Sequence, residues 1–323
     1  MAGYLFNDKD VFNDFAARAA KFFKTTIDIV EKDYFVSLVL KELSSRNEEI
    51  VFKGGTSLSK AYQIIDRFSE DIDLSLCNSD RIKPVASQKV KLKRDIENTV
   101  NLFGFSIPNL SSTGSRRSYN AYEISYDSVR IGSDINDDMG LKSHILLETY
   151  CHNASFPTTE RQVENYINRY LLEASIVQRE VIVTDYPELI PFTMKVQSLE
   201  RTVSDKIFAI CDKWLDERGG AAIRQSRHIY DLYYLLKSDE LDYNILRETF
   251  FEVRMILKNE LTYNPSSAKE YNIPILVKTL LEENFFEDDY KKTTQLLTDH
   301  APDYAIVKDY LLHVIEKNAD IFS

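Results

Sequence analysis

One stretch of the chain, residues 51–76, restricts the fold more than any other. Its sequence is VFKGGTSLSKAYQIIDRFSEDIDLSL. The apolar run that leads into Gly54-Gly55 predicts a strand, and the segment from Thr56 to Arg67 has apolar residues at helical spacing. The last part, Asp71-Ile72-Asp73-Leu74, alternates acidic and apolar residues, as a strand with one buried face does. The stretch therefore predicts a strand, a glycine turn, a helix and a second strand.

This order of elements suits the binding of phosphates and a divalent cation. Asp71 and Asp73 share one face of their strand, because side chains alternate along it, and carboxylate oxygens suit Mg²⁺. The glycine turn lets the backbone come close to phosphates, and the start of the next helix favours negative charge. Each motif alone is common in turns and at strand edges. Their combination across one helix indicates a nucleotide-binding site.

The composition is that of a globular protein and restricts its compartment. The chain has 323 residues, enough for two cores, and 44% of them are hydrophobic. Three scattered cysteines without CxxC spacing favour a reducing cytoplasm over a disulfide framework or a zinc site. We expect neither a signal peptide nor a membrane-spanning segment. The formal net charge of −11 argues against a surface that is coated by nucleic acid, but not against a local basic groove.

Such a groove has one candidate, the segment from Arg81 to Arg94. Six of its fourteen residues are Lys or Arg and none is acidic. The segment is either a solvated helix face or a patch that contacts phosphates, and Arg116-Arg117 would extend the patch. The sequence leaves both interpretations open.

The remaining segments predict a mixed sheet followed by helices. The prolines between Tyr186 and Pro191 favour a domain boundary there. Glu148 lies in an apolar run, and a buried carboxylate needs a partner or a metal; an exposed edge position is the alternative. The predicted elements are two helices within residues 8–45, strands at 121–125, 143–150 and 176–187, a helix at 199–217 with Ser198 as its N-cap, a helix that carries Arg224, Arg227 and Asp231, and further helices from residue 240 onward.

The motifs GGTSLSK and RFSEDIDL closely resemble the signature of the AbiEii/AbiGii toxin family of nucleotidyltransferases, within the polymerase-beta-like superfamily. Glu31-Lys32-Asp33-Tyr34 resembles another motif of that family, although it also suits an ordinary helix start. The segments Glu200–Lys206 and Arg227–Leu232 resemble its later motifs. His228 stands where the family often has Asp, so no carboxylate role is carried over to that position.

The resemblance implies an α+β fold. A polymerase-beta-like nucleotidyltransferase domain, a small mixed sheet with flanking helices, would span residues 1–187, and an α-helical domain would span 188–323. The implied catalytic residues are Asp71, Asp73, Lys206 and Asp231. The implied metal ligands are Asp71, Asp73 and Glu148, with Glu123 as the alternative third carboxylate. The implied nucleotide-binding residues are Lys53, Gly54, Gly55, Thr56, Ser57, Lys60, Arg67, Ser69, Lys206 and Arg227.

The implied activity is transfer of a nucleoside monophosphate from an NTP, dependent on Mg²⁺ or Mn²⁺. The protein would be the toxin of a toxin–antitoxin or abortive-infection system, with the 3′ end of tRNA as acceptor and a separately encoded antitoxin as partner. Two alternatives stay open. One is nucleotidylation of protein hydroxyls, including the protein's own, and the other is a non-catalytic NTP-binding module.

Overall fold

A six-stranded mixed sheet forms the centre of the first part of the chain. The computed structural model describes residues 3–69, 71–77, 83–129, 143–216, 225–294, 298 and 301–322. The strands are β1 (Ile50–Lys53), β2 (Ile72–Leu76), β3 (Tyr119–Ile124), β4 (Ile145–Tyr150), β5 (Thr158–Val163) and β6 (Phe192–Gln197). Their order in the sheet is β3-β4-β2-β1-β6-β5. β1 is antiparallel to β2 and parallel to β6, whereas β4 is parallel to β2 and antiparallel to β3. The predicted α+β class with a small mixed sheet is confirmed.

The chain divides into two compact units that are not continuous in sequence. The first consists of Met1–Tyr62 and Ser69–Val196, and the second of Gln63–Phe68 and Gln197–Ser323. The helices of the first unit are α1 (Lys9–Phe22), α2 (Ile27–Arg46), α3 (Gly54–Lys60), α4 (Ala86–Leu102), α5 (Tyr166–Glu173) and α6 (Arg179–Asp185). The helices of the second unit are α7 (Leu199–Leu215), α8 (Arg227–Lys237), α9 (Tyr243–Leu257), α10 (Ile273–Glu282), α11 (Glu287–Asp289) and α12 (Tyr304–Lys317).

The central strands follow the burial pattern that their sequence predicts. Ile72, Leu74 and Leu76 of β2 are fully buried, whereas Asp73 on the opposite face is partly exposed. Because the apolar face is covered, a slip of β2 by one residue would bury the carboxylate of Asp73 and expose leucines. The register of this strand is therefore fixed by its own sequence.

Helix α2 buries charged residues that hold both ends of the connection between β3 and β4. The Glu31 carboxylate accepts hydrogen bonds from the backbone N–H of Val129 at 2.6 Å and from the Ser128 hydroxyl at 3.0 Å. The Lys32 ammonium donates to the carbonyl of His144. Since α2 begins at Ile27, these residues lie in its second turn, not at its start. Their charges act in tertiary contacts, and not on the helix dipole.

The next residue of the motif, Asp33, joins α2 to α3 and α5. Its carboxylate pairs with the ammonium of Lys60 and accepts the backbone N–H of Tyr166 at 2.8 Å. Lys60 also donates to the Ser37 hydroxyl at 2.8 Å. Lys60 is only 6% exposed, and burial lowers the pKa of its ammonium despite the neighbouring Asp33. This buried ion pair fixes α3 against α2.

Helix α3 is shorter than the sequence predicts. The predicted helix from Thr56 to Arg67 ends at Lys60. Two consecutive backbone N–H groups, those of Ala61 and Tyr62, donate to the carbonyl of Ser57, and Gln63 then adopts a left-handed φ of 55°. A right-handed helix cannot continue through that conformation. The apolar residues beyond Ala61 therefore belong to an irregular segment.

Two further predictions about secondary structure are wrong. Residues 176–187 contain many β-branched residues, which favour a strand, but Arg179–Asp185 forms α6. Val181 is 63% exposed and only Val183 of this helix is buried, so the segment does not bury a strand face, and the helix satisfies its backbone groups internally. The sequence analysis also missed β5 and β6. β6 begins directly after the prolines that predicted a boundary, and it pairs in parallel with β1.

The second unit is built around α7. Its predicted N-cap is confirmed, because the Ser198 hydroxyl accepts the backbone N–H of Arg201 at 3.2 Å. Phe208 of α7 stacks on Phe250 of α9 with ring centroids 4.9 Å apart. The predicted end of this helix at Glu217, and Arg224, lie outside the described residues. Among the helices that are described, none is both long and apolar enough to cross a membrane.

Replacing Lys60 by Met is expected to lower the free energy of unfolding by about 3–5 kcal/mol, because Asp33 would keep a buried charge without its cation. Urea-induced unfolding measures this loss. The matched control is Lys278→Met, which removes an exposed lysine that pairs with Glu316 at 2.9 Å. We expect the control to leave the urea midpoint nearly unchanged. Equal losses in the two variants would contradict a structural role for the buried pair.

Candidate active site

A row of polar side chains crosses the sheet of the first unit. Lys53 of β1 lies opposite Asp73 of β2, and Asp73 is in register with Glu148 of β4. Residues in register on neighbouring strands share one face of a sheet. All three side chains are partly exposed, whereas their neighbours along β2 and β4 are buried. Asp71 directly precedes β2, two residues before Asp73.

The turn between β1 and α3 comes into close contact with this row. Gly54 has a φ of 77°, which favours glycine, and a methyl group added to it would lie 1.9 Å from Oδ2 of Asp73. Only a residue without a side chain can therefore occupy this position while Asp73 stays in place. The backbone of the turn is therefore in direct contact with the Asp73 carboxylate.

Hydroxyl groups connect the same turn to the start of β2. Thr56 Oγ1 lies 2.8 Å from Ser69 Oγ and is also hydrogen-bonded to the carbonyl of Asp71. Ser57 donates to the carbonyl of Gly54 at 2.8 Å. Thr56 and Ser57 are fully buried. These residues, predicted to bind phosphates, hold the turn in shape through their side chains.

Glu148 has two tyrosines beside it that the sequence analysis did not single out. The Tyr119 hydroxyl donates to a carboxylate oxygen of Glu148, and the rings of Tyr119 and Tyr150 lie 5.2 Å apart. Burial raises the pKa of Tyr119, and its hydrogen bond to Glu148 raises it further. Burial and the negative charges of Asp73 and Glu148 likewise raise the pKa of Tyr150. Both phenols therefore stay protonated and act as donors.

The alternative third carboxylate occupies a different row. Glu123 of β3 pairs with Leu146, whereas Glu148 pairs with Ala121 on that side. Glu148 is thus the acidic residue in register with Asp73. The Lys53 ammonium lies over the ring of Tyr150, 4.8 Å from its centre.

The chemistry of these donors suits Mg²⁺. No group of three His, Cys, Asp or Glu side chains forms a ready-made metal site in the part of the chain that the structure describes. Mg²⁺ does not need one, because it keeps several waters and takes one or two carboxylates together with substrate phosphates. Asp73 and Glu148, in register on adjacent strands, meet that requirement.

The second unit contains a buried cluster around Asp231. Oδ1 and Oδ2 of Asp231 accept hydrogen bonds from Nε and from a terminal nitrogen of Arg67, both at 2.7 Å. The Lys206 ammonium also lies 2.7 Å from Oδ2. Burial alone would raise the pKa of Asp231, but the charges of Arg67 and Lys206 outweigh it and hold the pKa well below its usual range. One carboxylate therefore fixes two cations.

His228 lies beside this cluster, one turn before Asp231 on α8. Its Nδ1 is buried and has no hydrogen-bond partner among the described residues. Burial and then the charge of Lys206 lower the pKa of His228 to about 3. The imidazole is therefore neutral at physiological pH and adds no charge beside Asp231. Arg227, the preceding residue, is partly exposed at the start of α8.

The comparison with protein families shows the family of the chain. The model of a family described as nucleotidyl transferase AbiEii toxin, type IV toxin–antitoxin system, matches residues 38–312. The chain belongs to this family. It is therefore a nucleotidyltransferase of a toxin family, and the resemblance of GGTSLSK and RFSEDIDL to the AbiEii signature is confirmed.

A solved structure of similar fold is that of MenT4, a nucleotidyltransferase toxin from Mycobacterium tuberculosis H37Rv. The two chains are 16% identical, and the match covers 92% of this chain and 87% of that one with a TM-score of 0.53. At this identity the likeness concerns the fold alone. The comparison with curated protein sequences finds no match.

The close contact at the AbiEii glycine turn is tested by two matched alanine variants. Gly54 and Gly104 have similar φ values of 77° and 73°, but a methyl group at Gly104 would meet nothing within 4 Å. Gly104→Ala should cost about 1–2 kcal/mol of stability from backbone strain alone. Gly54→Ala should cost more in urea unfolding and should also abolish nucleotidyl transfer, because Asp73 must move. An active Gly54→Ala protein would contradict the contact.

The His228 imidazole is partly exposed as a whole, but its Nδ1 is buried without a hydrogen-bond partner among the described residues, and this predicts a pH dependence of stability. The pKa of His228 in the folded protein lies below the unfolded value of about 6.5, so the unfolded state takes up a proton that the folded state excludes. Stability is therefore lost as the pH falls from about 6.5 toward 3. Between pH 7 and pH 5 this loss is about 2 kcal/mol at most, because the partly exposed ring keeps some contact with solvent. The stabilisation that Asp231 gains from its two cations is lost only as the pH falls below about 4, its unfolded pKa, so it stays constant between pH 7 and pH 5.

His228→Gln is expected to remove this loss, which urea unfolding at pH 7 and pH 5 measures. His313→Gln is the matched control, since His313 is exposed on α12, and it should keep the pH dependence of the unmodified protein. If the His228 variant and the unmodified protein showed the same pH dependence, the assignment of a neutral imidazole to His228 would be wrong.

Proposed function

We propose that the protein transfers a nucleoside monophosphate from an NTP to the 3′ end of tRNA. The 3′ hydroxyl oxygen of the acceptor forms a bond to the α-phosphorus, the bond from this phosphorus to the β-phosphate oxygen breaks, and pyrophosphate leaves. The hydroxyl proton passes to solvent. The observation that carries the proposal is the register of Asp73 with Glu148, next to a glycine turn that crowds Asp73.

In this proposal the first unit supplies the metal ligands. Asp71, Asp73 and Glu148 would hold Mg²⁺, or Mn²⁺, through carboxylate oxygens, and Tyr119 would orient Glu148 through its hydrogen bond. The bound cation would neutralise negative charge on the phosphates and on the leaving pyrophosphate. Glu123 lies one row away from Asp73, which favours Glu148 as the third ligand.

The same proposal assigns the remaining residues to the nucleotide. Backbone groups of the glycine turn would face the phosphates, while Thr56, Ser57 and Ser69 keep that turn rigid. We assign Lys206 to the charge of the triphosphate, and Asp231 to holding the Lys206 ammonium in one position together with Arg67. The further residues with this proposed role are Lys53, Gly54, Gly55 and Arg227. Lys60 acts at a distance, through its buried contact with Asp33.

The family supports a type IV antitoxin as the partner of the protein and an NTP as its substrate. We propose that the antitoxin is encoded separately and that transfer takes place in the cytoplasm, where tRNA is available. The reaction leaves little covalent chemistry to the protein, so rate enhancement would come from positioning and from charge stabilisation.

Asp73→Asn is expected to reduce nucleotidyl transfer by about two orders of magnitude or more, because it removes a charge that faces the metal. The measurement is incorporation of label from each α-³²P NTP into total tRNA in the presence of Mg²⁺. Asp10→Asn, an exposed position on α1, is the matched control and should keep full activity. Unchanged urea midpoints would separate lost chemistry from lost folding. Full activity of the Asp73 variant would remove the metal assignment.

The same incubation decides the acceptor. Total tRNA and a cell protein extract are offered separately with each labelled NTP. Label in tRNA alone is the expected result. Label in protein, including the protein itself, would replace the proposed acceptor. If neither acceptor were labelled but the protein still bound NTP, the protein would be a non-catalytic NTP-binding module.

A further inference from the structure

The first unit has a groove with basic walls that the proposed chemistry does not use. It has a volume of about 310 Å³ and lies between α4 and the segment that leads into β3. The lining consists of the cationic side chains of Lys91, Arg94 and Arg116 together with Ala86, Ser87 and Val90. None of the described residues that line it is aromatic.

The charge around the groove is strongly positive and only partly neutralised. Residues 83–94 include five Lys or Arg and no acidic residue. Within the described chain, Arg94 and Arg116 are exposed and have no ion pair. Lys91 pairs with Asp95 at 2.7 Å and Lys93 lies 3.7 Å from Glu97, whereas Lys89 donates to the neutral hydroxyl of Ser118. Arg81 lies outside the described residues. A local excess of positive charge remains in a chain whose overall charge is −11.

The groove is connected to the end of β1 that lies away from Asp73. Lys91 donates to the carbonyl of Arg46, and Gln88 donates to the carboxylate of Glu49, which directly precedes β1. Lys53, the residue opposite Asp73, is at the other end of that strand. Three residues of a strand extend about 10 Å, and one nucleotide of a helical strand rises about 3.4 Å. A nucleic acid that reached from Asp73 to this end of β1 would therefore extend about three nucleotides or more.

We infer that the groove binds the phosphodiester backbone of the acceptor RNA, at nucleotides at least about three positions from the reacting 3′ end. This inference rests on the proposed function for the identity of the acceptor. Guanidinium groups bind phosphates in bidentate fashion, which suits Arg94 and Arg116. The described lining has no aromatic side chain on which bases could stack. Its contacts hold the RNA and do not select its sequence.

The test is binding of a fluorescent tRNA transcript, measured by anisotropy without NTP. The double variant R94E/R116E is compared with K9E/K21E, which makes the same change in net charge at exposed positions on α1. We expect R94E/R116E to bind tRNA at least tenfold more weakly at 0.1 M salt. The slope of the logarithm of the binding constant against the logarithm of the salt concentration should decrease in magnitude by about two. The control variant should match the unmodified protein. Equal binding by both double variants would overturn the inference.

Two further measurements define the ligand and its position. In transfer assays R94E/R116E should raise KM for tRNA while leaving kcat and the KM for NTP unchanged, and it should not affect transfer to a CCA trinucleotide. An equal loss with the trinucleotide would overturn the remote position. Poly-L-glutamate and unlabelled tRNA are also compared as competitors at equal total charge. If poly-L-glutamate displaced the fluorescent tRNA equally well, the ligand of the groove would be an acidic protein and not RNA. Because binding is measured without NTP, absence of transfer activity would overturn the proposed function and leave the binding result intact.

Discussion

The contact between the Gly54 backbone and the Asp73 carboxylate is the constraint on which the rest of the first unit depends. Asp73 reaches this position because β2 pairs antiparallel with β1, with Lys53 opposite Asp73. The turn keeps its shape because Thr56 is bonded to the start of β2. The buried pair of Asp33 and Lys60 then prevents α3 from moving away from α2. Gly54, the pairing of β1 with β2 and the ion pair of Asp33 with Lys60 all restrict the backbone between β1 and α3.

Both units bury charge, and in both the charge holds a backbone or a side chain in one place. Glu31 and Lys32 in the first unit, and Asp231 in the second, are less than a tenth exposed. Burying an ion costs several kcal/mol unless partners compensate it. Each of these groups has such partners, as the two cations on Asp231 illustrate. Burial of such paired charges keeps a side chain in one conformation, and perturbed ionisable groups of this kind are typical of catalytic sites.

The elements that the sequence predicts well are those with a strong local pattern. Val51 and Phe52 before the glycines, the alternation around Asp73, and the serine cap of α7 each carry their own signal, and all are found in the structure. Residues without a local signal were missed. Nothing near Tyr119 in sequence indicates its bond to Glu148, 29 residues later. The prediction of a strand at α6 was wrong because β-branched residues are typical of strands, although here they lie on an exposed helix. The end of α3 was missed because the left-handed conformation of Gln63 has no signal in the composition.

The course of the chain between α3 and β2 has a consequence for how such proteins evolve. Residues 63–68 pack with the second unit although they lie between two elements of the first. Arg67 belongs to this segment and holds Asp231. A gene fragment that encoded only residues 197–323 would lack the arginine, and its Asp231 would keep a single cation. The two halves cannot be exchanged between relatives by a single crossover without separating this pair, so recombination should preserve them together.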